Sequence, residues 1–181
     1  ALYPGQLATG LCPLQTFAGE AIYKSGDIDD DELADRVSGY WTPYHEKIGS
    51  TLRSLRDNHG YALLWDAHSI ASVVPRLFDG ELPVLNIGTD GGRSCAASLA
   101  GPVADIAAAS PYSTIVNGRF QGGYITRHYG DPENGVHALQ LEIAQRSYLD
   151  EKTTNFDARK ASNLRGTLQP MLEMFVESAE R

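Results

Sequence analysis

The stretch Tyr61–Ile70, YALLWDAHSI, decides how the rest of the chain is read. It is apolar through Trp65 and then ends in an acid, a histidine and a serine. Leu, Trp and Ala in unbroken succession read as a strand buried on both sides. In an extended chain alternate residues share a face, so Asp66 and His68 project together and Ser69 projects away. That geometry disfavours a Ser-His-Asp triad drawn from DAHS alone, because Ser69 cannot reach its neighbour's ring. The imidazole is either a group hydrogen-bonded at a sheet edge or a metal ligand oriented by the Asp66 carboxylate.

Outward from this strand, the flanking segments alternate in type. Asp27–Asp31 is an acidic run that suits the first turn of a helix. Leu33, Val37, Tyr40 and Trp41 continue it at helical spacing. Pro43 marks a boundary or the first turn of a second helix, which carries Ile48, Leu52 and Leu55 as far as Gly60. Beyond the strand, VLNIGT predicts a second strand, TDGGRS a glycine-rich loop and Ser98–Ala109 an alanine-rich helix. STIVN predicts a third strand, VHALQLEIA a fourth, and residues 155–180 a closing helix. Between the last two strands lies GRFQGGYITRHYGDPENG, with five glycines and little periodicity. A loop of that length in a compact domain is usually functional or disordered, and its aromatics and arginines argue against disorder. Strands alternating with helices give an α/β layered fold with ligand chemistry at strand ends.

Composition narrows the function. The 181 residues are 42% hydrophobic, enough for one ordinary globular domain. Fifteen basic against 23 acidic residues give a net charge of −8, which argues against a phosphate-tracking nucleic-acid binder. No apolar run is long enough to span a bilayer and no signal peptide is visible. Cys12 and Cys95 form no CxxC pair, so a reducing cytoplasm is the expected compartment.

Within VHALQLEIA, Leu139, Leu141 and Ile143 share one face while Ala138, Gln140 and Glu142 share the other. A carboxylate in so apolar a strand is costly unless it is paired, hydrogen-bonded or near a metal. Glu142 is thus either half of a structural ion pair or a general base with a raised pKa. Arg119 and Arg127 in the glycine-rich loop offer planar forks suited to carboxylates. They are either surface ion-pairing groups or the walls of an anionic small-molecule pocket. His128 and His137 are weaker candidates, and His45 and His59 read as surface residues.

In order along the chain, LYPGQ, TGLCP, YWTPYH, LLWDAHSI, PRLFDG, NIGT, NGRFQGGYITRHYG and LQLEIAQRSYLDE resemble the N-formylglutamate amidohydrolase family over nearly the whole length. The resemblance implies a zinc-peptidase-like α/β fold, related to carboxypeptidases and aspartoacylases, with a mixed sheet flanked by helices. It implies zinc-dependent hydrolysis of N-formyl-L-glutamate to formate and L-glutamate in histidine breakdown. By the same resemblance His68 is a zinc ligand, with Asp66 behind it, and Glu142 activates the metal-bound water. Arg119, Arg127 and Asn117 hold the anionic substrate. In the family the other zinc ligands, including a histidine in a PHxG-like motif, come from a segment ahead of LYPGQ. Residues 1–181 are therefore expected to be a single domain, the C-terminal portion of such an enzyme, lacking its N-terminal part. The competing expectations are a related deacylase or carboxypeptidase, or a silent domain that binds a dicarboxylate or acidic amino acid.

Overall fold

A computed structural model describes residues 11–24 and 28–180. The chain forms two compact units, one from the residues up to Thr51 with Val74–Gly80, the other from Leu52–Val73 with the residues from Glu81 onward.

The first unit is helical. Helix α1 (Asp30–Arg36) begins where Asp29 accepts a hydrogen bond from the Glu32 amide at 2.8 Å, and Asp30, Asp31 and Glu32 fill its first turn. Negative charge there complements the exposed amides of the helix start. Arg36 closes the helix, paired with Glu32 and donating to the Tyr23 hydroxyl at 2.8 Å. The chain then passes through a π-helical turn, Val37–Trp41, into helix α2 (Thr42–His59), whose residues from Leu52 onward belong to the second unit. Pro43 therefore lies in the first turn of α2, directly after the π-helical turn that takes the Thr42 amide to Val37 O. A π turn holds more residues than an α turn, which breaks the spacing of the predicted apolar stripe. Tyr40 is accordingly 78% exposed, and α1 buries none of its residues.

The second unit is a four-stranded open mixed sheet covered by helices. Strands β1 (Ala62–Ile70), β2 (Leu85–Gly88), β3 (Thr114–Val116) and β4 (Val136–Ala144) lie in the order β1-β4-β2-β3. β1 runs parallel to β4, β4 antiparallel to β2, and β2 parallel to β3. The two inner strands are the most buried, as two covered neighbours require.

β1 departs from expectation. Among the described residues it is an edge strand, and Ala67, His68 and Ser69 at its C-terminal end are exposed rather than buried on both sides. Its Leu63 and Trp65 still face the core.

One sheet face is apolar. Leu85, Ile87, Leu139 and Leu141 pack with Leu99, Val103 and Ala107 of α3 (Ala97–Ala109) and with Leu164, Met171 and Phe175 of α5 (Ala158–Ala179). Trp65 meets Phe175 at a ring separation of 5.8 Å. Each such leucine or phenylalanine contributes roughly 1.5–3 kcal/mol by leaving water. The other face carries Asp66, His68, Asn86, Gln140 and Glu142. The fold thus places its fat on one side and its chemistry on the other.

The long glycine-rich segment is ordered. It contains a short helix, α4 (Tyr124–Tyr129), and a single 3₁₀ turn at Pro132–Asn134. No helix among the described residues is long and apolar enough to cross a membrane.

Candidate active site

Strand register assembles the polar face. His68 of β1 pairs with Glu142 of β4, which in turn faces Asn86 of β2, and Asp66 pairs with Gln140 one step earlier. Register partners on neighbouring strands project to the same side, so these side chains form one contiguous surface.

Asp66 is 9% exposed and uses both oxygens. Its Oδ1 accepts from His68 Nε2 at 2.8 Å and its Oδ2 from the Thr126 hydroxyl at 3.0 Å. A carboxylate can only accept, so Nε2 carries the proton and Nδ1 keeps its lone pair. The Asp66 hydrogen bond raises the pKa of the ring above the ordinary histidine value, partial burial opposes it, and the Asp66 and Glu142 charges add to the rise.

Glu142 is 7% exposed. Burial disfavours its charged form and lifts its pKa to about 7; the His68 charge pulls the other way and Asp66 pushes it further up. A carboxyl group with that value exchanges protons readily near neutrality, which is what general-base chemistry needs. Asn86 lies beside it, 1% exposed, its amide donating to Glu142 O at 3.0 Å and to Pro83 O at 2.7 Å. The Asn86 Oδ1 has no hydrogen-bond partner among the described residues, an acceptor buried on the same face.

α4 closes the face from above. The amide of Gly123 donates to Gln140 Oε1 at 2.5 Å and Thr126, fully buried, reaches Asp66. Gly88 makes this approach possible. A Cβ there would lie 2.7 Å from the backbone of Gln121 and Gly122. Arg127 is half-buried on α4 and donates to Gly122 O at 2.5 Å. Arg119, earlier in the same segment, holds its guanidinium 5.9 Å from the centre of the Phe120 ring. Asn117 is engaged in building the loop. Its Oδ1 accepts from the amides of Thr89 at 2.8 Å and Gly91 at 3.3 Å, and its Nδ2 donates to Thr89 Oγ1 at 2.8 Å. These bonds hold Asn117 at φ 50°, a conformation few side chains adopt.

Asp66, His68 and Glu142 are therefore brought together, with Arg127 carried onto the same face by α4. His137 projects to the opposite, core-facing side, where its Nδ1 accepts from the Ala96 amide at 3.3 Å. His128 is exposed and stacked on Tyr124 at 4.9 Å. His59 is exposed and His45 half-buried against Trp41 at 4.2 Å. Ser69 turns from His68 and meets the Tyr148 hydroxyl at 2.8 Å. Sequence reasoning missed Thr126 and Asn86 as members of the site. Asn86 had a signal, a lone amide inside the apolar run VLNIG; Thr126 had none.

Catalytic zinc takes three protein donors and leaves a position open. No group of three or more His, Cys, Asp or Glu side chains able to hold a metal occurs among the described residues. His68 Nδ1 is a suitable donor, yet the described residues by themselves do not complete such a site.

The fold is mixed α/β, and one face of its sheet gathers the buried Asp66 and Glu142 carboxyl groups with the His68 imidazole. The model of the N-formylglutamate amidohydrolase family matches residues 1–149, and the chain belongs to that family. It is 48% identical over 168 residues to the N-formylglutamate deformylase of Pseudomonas aeruginosa, covering 91% of this chain and 63% of that one. It is 49% identical over 152 residues to the N-formylglutamate deformylase of Pseudomonas putida, covering 83% and 57%. The chain thus spans about three-fifths of the length of these curated relatives. The crystal structure of N-formylglutamate amidohydrolase from Ralstonia eutropha JMP134 shares the fold at a TM-score of 0.77 and 20% identity, over 98% of this chain and 66% of that one.

Proposed function

We propose that this protein hydrolyses N-formyl-L-glutamate to formate and L-glutamate. The observation that carries the reading is Glu142, buried, held near neutrality and set in register with the Asp66–His68 pair, in a chain so close to two deformylases.

In this reading Glu142 takes a proton from a water molecule, whose oxygen adds to the formyl carbon. The C–N bond then breaks and the same proton passes to the departing amine. One water is consumed and formate and glutamate are released. Arg127 and Arg119 hold the substrate carboxylates through charge-assisted hydrogen bonds, and Asn117 fixes the loop that precedes them. His68, steered by Asp66, faces the reacting centre.

A zinc requirement belongs to the proposal through the family resemblance. His68 Nδ1 is the donor this chain would offer, and further donors would have to lie outside the described residues. The zinc-peptidase-like relationship of the fold, a place in histidine degradation and a cytoplasmic setting extend the proposal on the same ground.

Metal content by elemental analysis, together with formate release from N-formyl-L-glutamate, tests it. Both are measured on this chain and on a version extended to the length of the Pseudomonas relatives. The proposal expects the extended version to retain zinc and release formate. An extended protein that binds the substrate without cleaving it would instead identify a dicarboxylate-binding domain.

A further inference from the structure

We infer that Thr126 is a positioning residue, which ties the placement of the arginine-bearing helix α4 to the orientation of the His68 ring. The inference rests on the proposed acid–base role of this face only for its kinetic consequence.

Thr126 has no exposed surface, yet its hydroxyl is spent on Asp66 rather than on its own helix. Asp66 has two oxygens and, among the described residues, a partner on each, His68 Nε2 on Oδ1 and Thr126 on Oδ2. With both oxygens engaged, the carboxylate plane is fixed, and the ring that donates to it is fixed in turn. Without the hydroxyl, the carboxylate is free to rotate and a buried acceptor is left unsatisfied.

The same helix is pinned a second time, by the Gly123 amide on Gln140 Oε1. Gln140 is the register partner of Asp66. α4 is therefore anchored to two adjacent positions of neighbouring strands, and its next residue after Thr126 is Arg127. A shift of α4 that moved Arg127 would pull on Asp66, and through it on the imidazole. No feature of the sequence announces this link, because Thr126 and Asp66 stand 60 positions apart.

The test uses the chain as it stands and needs no substrate. In alkaline buffer, the ¹⁵N pattern of the neutral His68 ring should show a single tautomer, protonated at Nε2, and the Thr126 hydroxyl proton should exchange slowly. Thr126→Val keeps the shape and removes the donor, so both tautomers should appear; Thr126→Ser should restore one. A valine variant with the wild-type tautomer pattern would overturn the inference. So would a wild-type hydroxyl proton exchanging at the rate of free solvent, a measurement that decides the matter even if the valine variant does not fold.

Kinetics on the extended protein give a second readout. Removing the partner of a functional histidine's carboxylate typically costs about 10- to 100-fold, and here the loss should fall on kcat with KM unchanged, recovered in Thr126→Ser. An unchanged kcat in Thr126→Val overturns the link. If the wild-type extended protein releases no formate, the proposed function fails, and the tautomer measurement still decides the role of Thr126.

Discussion

Glu142 and His68 show how one sheet position sets two titrations at once. Burial of Glu142 and the Asp66 hydrogen bond to His68 make both groups hold their protons more tightly in the folded chain than in the unfolded one. For Glu142 the folded value of about 7 exceeds the ordinary carboxyl value of 4.5. Between those two pH values the folded state keeps a proton that the unfolded state has released, so stability falls as pH rises. His68 acts in the same direction: its stabilising proton is fully present below the ordinary histidine value and is lost as pH rises through its folded value. Stability of this chain should therefore decline as pH rises from about 4.5 to 7, and Glu142→Gln should flatten the decline by up to roughly 3 kcal/mol before solvent screening is allowed for. Chemical unfolding at several pH values checks this; a slope unchanged in the variant would contradict it. In the extended protein, Arg127→Ala and Arg119→Ala should each raise KM by about 10- to 100-fold, the loss of one charge-assisted hydrogen bond of roughly 1.5–3 kcal/mol. Wild-type steady-state parameters in both variants would make the arginines surface decoration.

At the scale of elements, the face is held by how closely β2 and the segment leading to α4 approach. Gly88→Ala places a methyl group against the backbone of Gln121 and Gly122. Overpacking of this kind typically costs about 1–3 kcal/mol, and the strain should also loosen the Gly123–Gln140 bond. Earlier thermal unfolding together with faster exchange of the Gly123 amide is the expected result; a variant with wild-type exchange would mean that the contact is not needed. The four strands were legible because each is a short apolar run bounded by turn residues, and the two faces of β4 were legible from its alternation. The edge position of β1 was not, because strand order depends on pairings between distant segments and no local pattern encodes it. α4 was hidden for another reason. At six residues, flanked by glycines, it is too short for periodicity to show, and its stability comes from Thr126 and Gly123 bonding to the sheet rather than from its own propensity. Asp66, His68 and Glu142 stood out because each is a polar group in an apolar run, whereas Thr126 is unremarkable in TRHY until the fold brings it to Asp66. Asn117 was legible as part of the NGRF segment, and its engagement with Thr89 emerged only in three dimensions.

For the whole molecule, the net charge of −8 makes any anion-holding surface a local exception that a few arginines must create. The proposed small acidic substrate is compatible with that charge balance, whereas a broad anionic partner is not. In the proposed function Glu142 performs the proton transfer in N-formyl-L-glutamate hydrolysis. Its most direct test is formate release by the extended protein, wild type against Glu142→Gln, with the folded fraction measured on the same samples. Glutamine keeps the size and hydrogen-bonding reach of the side chain but cannot take the proton, and general-base catalysis is worth on the order of 10²–10⁴-fold. The expected result is a fall in kcat of at least that order, with KM and the folded fraction largely retained. A variant that turns over at the wild-type rate per folded molecule would contradict it.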